Sequence, residues 1–467
     1  CTDKTGTITE NQMTLRNIYL SNKDIEISGR GYKPEGEFSL KGGEKISSQL
    51  QKDLSLFLKA ASLCSNATLT NEKGDWKIIG DPTEGALVTA AKKNGFNKEE
   101  MEKNKYKRLE EIPFNSEEKY MAVSYQDEDK ENFVFVKGAP SVVFEMCKYE
   151  LVNGKKIEMN KKRKEELSNK NNEMAKKGLR LLAVAYQKGT KAESEKEIKN
   201  TIDEGLVFLG LAGIMDPPRK EVVSSIKEAQ TAGIVTKMIT GDQSDTALSI
   251  AEKVGIQGVE KGSISGQEID NMNEKELSDS IENNSVFSRV SPENKLQIIK
   301  SLNQKNEITA MTGDGVNDAP ALKKSDIGIA MGKRGTSVAK SASDMVLLDD
   351  SFTTIVKAIK EGRAIFDNIQ KFIYYLFSSN LSEIIFIFLG IILQVPMPLL
   401  ALQILWLNLV VDVFPALSLG WETEEENIMK RPPRDPDKSI LTNQFKKKIL
   451  FHSTIIALGP LITFLLY

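Results

Sequence analysis

The sequence is poor in cysteine. Its three, Cys1, Cys64 and Cys147, stand far apart and match neither a disulfide framework nor a zinc spacing, so a reducing compartment is expected. It also lacks an excess of charge. The 63 Lys and Arg residues against 65 Asp and Glu leave a formal net charge of −2, which removes the electrostatic case for nucleic acid as a partner. No signal peptide opens the chain, and no tandem repeat or low-complexity tract interrupts it. A Walker loop is missing too. Gly328 to Gly332-Lys333 comes nearest, but only three residues separate the glycines and arginine follows where Ser or Thr is required. Gly29-Arg-Gly-Tyr-Lys-Pro34 fails as a dinucleotide fingerprint because it ends in proline. Any nucleotide must be held by another device.

What is present changes sharply along the chain. The 467 residues suffice for two or three domains, and 40% apolar with 27% charged residues is ordinary globular composition. Up to about Lys371 the sequence is soluble in character and rich in lysine and glutamate. Three long apolar runs follow, Phe372–Gln394, Pro396–Gly420 and Ile449–Tyr467, each approaching the roughly 20 residues a spanning helix needs. Basic residues flank them: Arg363 and Lys371 before, then Lys430, Arg431, Arg434 and Lys446–Lys448. That bias puts the soluble region and the 421–448 loop on the cytoplasmic side of a lipid bilayer. Buried core helices are the competing reading of the runs.

From about Leu206, short apolar runs alternate with amphipathic ones. Leu206–Ile214, Ile234–Ile239, Ile308–Met311, Ile327–Met331 and Met345–Leu348 read as strands, while Arg219–Ala232 and Gln243–Val254 read as helices. This alternation predicts an α/β fold, a parallel sheet with helices on both faces. Residues 16–205, with polar strands, turns and lysine-rich helices such as Lys161–Lys177, read as an inserted domain with its own core.

In such sheets chemistry collects where strands end, and three loops qualify: Asp3–Thr7, Thr240–Asp242 and Thr312–Asp318. Asp3 can serve as a nucleophile toward phosphorus, because Lys4, Thr5, Gly6 and Thr7 supply a cation, hydroxyls and a permissive backbone to cradle phosphate oxygens. Asp314 and Asp318, four apart with Asn317 between them, offer the hard oxygens that Mg²⁺ takes. Thr240 and Gly241 offer a hydroxyl and N–H groups, and Lys295 can neutralise phosphoryl charge. Plain turns and solvated surface are the competing readings of each loop taken alone. In the apolar runs, Asn380 and Glu383 lie three apart and Asn408 and Asp412 four apart, each pair on one helical face. Polar groups in lipid are costly, so these form a candidate oxygen-rich site for a hard cation, with Pro415 able to loosen the backbone nearby. An interhelical hydrogen-bond pair is the alternative there.

These loops resemble the P-type ATPases. The resemblance rests on Asp3-Lys-Thr-Gly-Thr-Ile-Thr9, Lys137-Gly-Ala139, Asp216-Pro-Pro-Arg219, Met238-Ile-Thr-Gly-Asp242 and Thr312-Gly-Asp-Gly-Val-Asn-Asp-Ala-Pro320, five motifs in the family's order. It implies a haloacid-dehalogenase-like phosphorylation domain at 1–12 and 213–355 with a nucleotide-binding α+β domain, 13–212, inserted. A stalk helix at 356–371, two ion-binding spans within 372–420, a cytoplasmic loop at 421–448 and a third span at 449–467 would follow. By the resemblance, Asp3 is phosphorylated by ATP, and Asp3, Thr5 and Asp314 hold Mg²⁺ with Asn317 and Asp318 in support. Lys4, Thr240, Gly241 and Lys295 serve the phosphoryl group. Phe114 stacks on adenine, Glu84, Lys119, Lys137, Gly138 and Arg180 complete that pocket, and Arg219, Asp242 and Arg289 meet the nucleotide from the other side.

The spans, Ser379-Asn-Leu-Ser-Glu383 and Leu405-Trp-Leu-Asn-Leu-Val-Val-Asp412, are most similar to those of sarcoplasmic-reticulum-type calcium pumps. Asn380, Glu383, Asn408 and Asp412 are then the ligands of a transported cation, with Ca²⁺ favoured. Val411 stands where those pumps have a threonine ligand, and Phe414-Pro-Ala-Leu-Ser-Leu-Gly420 leans toward the sodium/potassium branch, so another cation is the alternative. Related soluble phosphatases carry an acid two positions after the nucleophile; here that position is Thr5, which favours a persistent acyl phosphate. A membrane-anchored phosphohydrolase and an inactive remnant are the other readings. The family's actuator domain and first four helices have no counterpart here, and the strand leading into Asp3 is expected before residue 1. The sequence therefore reads as part of a longer pump that binds nucleotide but needs the remainder to complete a transport cycle.

Overall fold

The computed structural model describes every residue except Lys73, Thr190 and Tyr467, the last residue of the third apolar run. The chain divides into two compact units, residues 1–223 with 237–350, and residues 224–236 with 351–467.

The first unit holds the chemistry. Parallel strands Thr2–Asp3, Met238–Ile239, Val286–Ser288 and Ile264–Ser265 lie side by side in that order. Strands Ala310–Gly313, Ile327–Met331 and Met345–Leu347 form a second parallel set. It is attached to the other flank of Thr2–Asp3: the Cys1 amino group donates to the Ala310 carbonyl at 2.7 Å, the Thr312 N–H to the Cys1 carbonyl at 3.0 Å, and the Asp3 N–H to the Thr312 hydroxyl at 3.0 Å. The chain order therefore reverses across Thr2–Asp3, and the crevice outside the strand ends at such a reversal is where ligands bind in open α/β sheets. Ile239, Phe287, Ile298, Ile299, Met311 and Leu322 fill the core between sheet and helices.

Between Thr2–Asp3 and Met238–Ile239 the chain builds a ten-stranded, mostly antiparallel sheet. Helix Ser48–Leu63 packs on it with Leu50, Leu54, Phe57 and Leu58 buried at helical spacing. Each such side chain contributes about 1.5–3 kcal/mol by leaving water. Ser47 caps that helix, its hydroxyl accepting from the Leu50 N–H at 3.3 Å.

Three expectations are corrected here. The run beginning at Leu206 forms a strand, Leu206–Met215, but in the ten-stranded sheet rather than the parallel one. All ten residues are buried, and continuous apolarity marks a central strand without specifying its orientation. It also runs across the expected 212/213 boundary. Of the run at 234–239 only Met238–Ile239 is strand, and Val235 is 67% exposed, so its apolar side chain does not serve the core. Thr2–Asp3 is itself a strand, although the nucleophile's strand was expected to lie wholly upstream.

The second unit contains, among the described residues, three helices long and apolar enough to cross a membrane: Phe352–Ile392, Ala401–Gly420 and Asn443–Leu466. The first is one continuous helix of 41 residues, about 60 Å long at 1.5 Å per residue, so no break separates the expected stalk from the span. The loop at 421–442 is tied to it. Arg363 donates to the carbonyls of Ile428 and Arg431 at 3.0 and 2.8 Å, Asn368 to that of Glu422 at 2.8 Å, and Arg431 pairs with Asp367 at 2.5 Å.

Candidate active site

Three chain segments meet at the reversal point. Asp3 ends its strand, and Asp314 and Asp318 follow the strand Ala310–Gly313. One carboxylate oxygen from each of the three lies within 4.8 Å of the others. Lys295, on helix Pro292–Gln304, bridges the group: its ammonium donates to Asp3 Oδ2 at 3.0 Å and to Asp318 Oδ1 at 2.8 Å. Burial works against that ammonium, but the Asp3 and Asp318 carboxylates outweigh it and hold its pKa above the usual lysine value. The second Asp318 oxygen accepts from the N–H groups of Asp314 and Gly315 at 3.1 and 3.0 Å, so Asp318 shapes the loop that presents Asp314. Burial, then the charge of Asp3, pushes the Asp314 carboxyl above the ordinary range. The Asp314 carboxylate is half-buried, with Arg334 Nη1 3.9 Å from its Oδ2. A cluster of hard oxygen donors around a half-buried, pKa-raised carboxylate fits Mg²⁺.

The loop after Asp3 closes tightly. The Thr9 N–H returns to the Lys4 carbonyl at 3.1 Å, the Thr5 N–H donates to Asp3 Oδ1 at 3.4 Å, and Gly6 takes φ +72°, where glycine avoids the usual side-chain penalty. Asp216 anchors this loop by accepting from the Thr9 hydroxyl at 2.5 Å and from the Gln12 N–H at 3.1 Å. Arg219 donates to the carbonyls of Gly6 at 3.0 Å and Thr9 at 3.2 Å, so it braces the loop from beneath. The adjacent strand end supplies Thr240 and Gly241: Asp3 is in register with Ile239, and the Thr240 hydroxyl accepts from the Asp242 N–H at 3.2 Å. Lys4 is buried and paired with Asp242, and the Asp242 carbonyl accepts from the Arg289 N–H at 2.8 Å. Thr5 and Asn317 are exposed at the rim.

The nucleotide candidates collect on the ten-stranded sheet. Strands Tyr120–Asp127, Asn132–Gly138 and Arg180–Lys188 are neighbours, and Lys119, Gly138 and Arg180 lie together at one end of them. A Cβ on Gly138 would come within 2.6 Å of the Lys119 carbonyl, so only glycine fits there. Lys137 is buried and bonds Glu84 at 2.8 Å and the Cys64 carbonyl, while Glu84 also accepts from the N–H groups of Asn66 and Ala67 at 2.6 and 3.1 Å. Arg180 donates to the Thr83 hydroxyl at 3.1 Å. Phe114, in the segment after strand Tyr106–Ile112, is 62% exposed, an uncovered ring.

In the second unit the Asn380 amide donates to Asp412 Oδ2 at 2.9 Å, joining two of the expected cation ligands across two helices. Asn408 Oδ1 and Asp412 Oδ1 are buried without a hydrogen-bond partner. Glu383 is half-buried on the helix that carries Asn380. Residues Asn408–Asp412 form a π turn, not the regular α-helix their spacing suggested. Pro415 has no N–H to offer the carbonyl four residues earlier, which is that of Val411; the Tyr375 hydroxyl donates to it instead at 2.6 Å.

Two features escaped the sequence reading. Tyr375 was indistinguishable from any aromatic in an apolar run. Arg334 lies in a fourth strand-end loop, Gly332–Thr336, after Ile327–Met331; the rule that picked three loops points to this one as well. Its Nη1 lies 3.4 Å from the Thr5 carbonyl.

Sequence comparison agrees with this geometry. A haloacid dehalogenase-like hydrolase family matches residues 293–359, which supply Lys295, Asp314 and Arg334. The P-type ATPase cytoplasmic domain N matches residues 53–221, and the cation-transporting ATPase C-terminus matches 396–467. The chain is 42% identical over 466 residues to a calcium-transporting ATPase of Bacillus subtilis, covering 100% of this chain and 52% of the relative. It is 40% identical to the cation-transporting ATPase pma1 of Synechocystis, over 97% of this chain and 50% of the relative. It is 39% identical to the human calcium-transporting ATPase type 2C member 1, over 99% and 49%. The chain thus spans about half the length of the curated relatives it matches. The parallel sheet and its carboxylate-lined edge are those of a haloacid dehalogenase-like hydrolase. With the inserted domain and the apolar helices, the chain belongs to the P-type ATPase family.

Proposed function

We propose that this chain carries the phosphorylation, nucleotide-binding and part of the cation-binding machinery of an ATP-driven pump, with Ca²⁺ as the favoured cargo. The observation that carries the reading is the meeting of Asp3, Asp314 and Asp318 within 4.8 Å around Lys295 at the sheet's reversal point. An Asp3 carboxylate oxygen attacks the γ-phosphorus of ATP; the bond to the β-phosphate oxygen breaks, and ADP leaves with its electron pair. Lys295 and the Thr240–Gly241 loop stabilise the charge gathering on the phosphoryl oxygens. Asp3, Asp314 and the Thr5 carbonyl would hold Mg²⁺, which supplies charge neutralisation to the transferring group. No acid stands two residues after Asp3, where Thr5 sits, so the acyl phosphate persists long enough to drive a conformational change.

On this reading residues 1–12 with 213–355 are the phosphorylation domain and 13–212 the nucleotide domain, with the strand Leu206–Met215 crossing from one to the other. Phe114 stacks on the base, and Glu84, Lys119, Lys137, Gly138 and Arg180 line the pocket. Arg219, Asp242 and Arg289 act here by shaping the Asp3 edge. Asn380, Glu383, Asn408 and Asp412 bind the cation in the membrane, with the soluble domains on the cytoplasmic face. The relatives named as calcium-transporting ATPases support Ca²⁺ over other cations. The test is labelling with γ-³²P-ATP and Mg²⁺ followed by acid quench. Hydroxylamine-sensitive label that is absent from Asp3→Asn supports the proposal, and label persisting in that variant overturns it.

A further inference from the structure

Arg334 is a cation at the Asp3 edge to which the proposed phosphoryl transfer gives no task. Its loop is pinned by Asp350, whose carboxylate is only 3% exposed. Asp350 accepts from the N–H groups of Lys333 and Arg334 at 3.0 and 3.2 Å and from Arg334 Nε at 3.2 Å. One end of the guanidinium is thereby fixed while its fork reaches the site. Nη1 lies 3.4 Å from the Thr5 carbonyl oxygen and 3.9 Å from Asp314 Oδ2. Nη2 is buried and has no hydrogen-bond partner. Gly6 lies against the fork so closely that a Cβ there would overlap it.

Two of the oxygens proposed to hold Mg²⁺ are therefore the two that the fork faces. A guanidinium cannot lose its proton, so it and a divalent ion repel each other at this range. A buried N–H with no acceptor is rare in native proteins and marks a donor awaiting one. Phosphate oxygens are the acceptors that a guanidinium fork matches best.

Building on the reading of this edge as a Mg²⁺-dependent phosphoryl-transfer centre, we propose that Arg334 is a tethered counter-cation that couples metal entry to nucleotide entry. Its fork neutralises Asp314 and holds the Thr5 carbonyl, opposing a bare divalent ion. When the ion arrives with nucleotide phosphate, the fork swings about its Asp350 anchor onto a phosphate oxygen and frees the metal's ligands. Arg334 is on this account a positioning residue for the metal, and no bond is made or broken by it.

The test measures Mn²⁺ as a stand-in for Mg²⁺, with the full chain in detergent, from the paramagnetic resonance signal of the free ion. Binding is titrated without nucleotide and with a non-hydrolysable ATP analogue. Arg334→Gln is expected to tighten nucleotide-free Mn²⁺ binding about tenfold, the effect of removing one nearby positive charge at high effective dielectric. It is also expected to shrink the tightening that the analogue produces in the unaltered chain. Arg334→Lys keeps a cation on Asp350 but has no fork to reach Thr5, so it gives an intermediate tightening; it keeps the test open should the glutamine variant not fold. Unchanged or weaker Mn²⁺ binding in a folded variant overturns the inference. Asp314→Asn separates the two levels. If it abolishes Mn²⁺ binding while Arg334→Gln does nothing, only the counter-cation role falls; if it leaves binding intact, the reading of the whole metal site falls.

Discussion

Replacing Lys295 with methionine tests whether the carboxylate cluster is held together by that one ammonium. Lys295 sits 3.0 Å from Asp3 Oδ2 and 2.8 Å from Asp318 Oδ1, with its side chain 10% exposed. At an effective dielectric of about 20, each unit pair at this distance is worth roughly 5 kcal/mol of bare attraction, most of it offset by desolvation. Breaking a buried pair by removing one partner costs about 3–5 kcal/mol, because the other charge stays behind. The Asp3 side chain is 21% exposed and can recruit water, so the lower end, about 3 kcal/mol, applies. The loss should concentrate in the loop that Asp318 organises, through its bonds to the Asp314 and Gly315 N–H groups. Hydrogen exchange of the peptide containing residues 310–320 is the direct assay, and about 3 kcal/mol of local opening predicts exchange about a hundredfold faster. Phosphorylation of Asp3 should slow by about 10²–10³, the usual loss when one electrostatic stabiliser is removed. Exchange within threefold of the unaltered chain would refute the claim that this ammonium organises the loop.

Two further outcomes follow from the same geometry. Asp314 titrates above the ordinary carboxyl range because of burial and then Asp3, so Mg²⁺ binding, which needs the carboxylate, should weaken as pH falls through that raised value, approaching one proton exchanged per ion. A Mn²⁺ titration from neutral to mildly acidic buffer checks it; the same group stabilises the fold at low pH, and that contribution is lost as pH rises through the raised pKa. Phe114→Ala should weaken ATP binding about tenfold by loss of stacking. Because Phe114 is 62% exposed, stability should move by no more than about 0.5 kcal/mol, and nucleotide titration with thermal melting separates the two.

How far the sequence anticipated the site can be read from its loops. Thr240 and Asp314 announced themselves, since each lies just after a short apolar run, whereas Asp3, with only Cys1 and Thr2 before it, was marked by Lys4, Thr5, Gly6 and Thr7 after it. That signal is local, as is the 3.6-residue pattern behind helix Ser244–Val254. Leu206–Met215 misled because a fully buried strand looks alike in a parallel and an antiparallel sheet; of its antiparallel partners, Arg180–Lys188 is near in sequence, but Thr14–Leu20 lies at the far end of the unit's chain and is set by packing. The strand-end loop of Arg334 was legible, but the role of its side chain was hidden for a similar reason. Its meaning depends on Asp350, sixteen positions later, and on Thr5, at the far end of the chain.

The membrane helices show the same limit in a way that alters the chemistry. Read as a side chain, Val411 removes a hydroxyl from the proposed cation site. Read as backbone, it does not remove an oxygen. Pro415 withdraws the N–H that would occupy the Val411 carbonyl, and the segment Asn408–Asp412 opens into a π turn. That carbonyl has two lone pairs, and the Tyr375 hydroxyl uses one at 2.6 Å. The carbonyl lies one residue from Asp412, whose Oδ1 is buried and unpartnered. A hard cation binds a main-chain carbonyl as well as a hydroxyl. On the proposed reading the Val411 carbonyl would add a backbone oxygen to the cation site in place of a hydroxyl, and its use would depend on Pro415, the π turn and Tyr375 together.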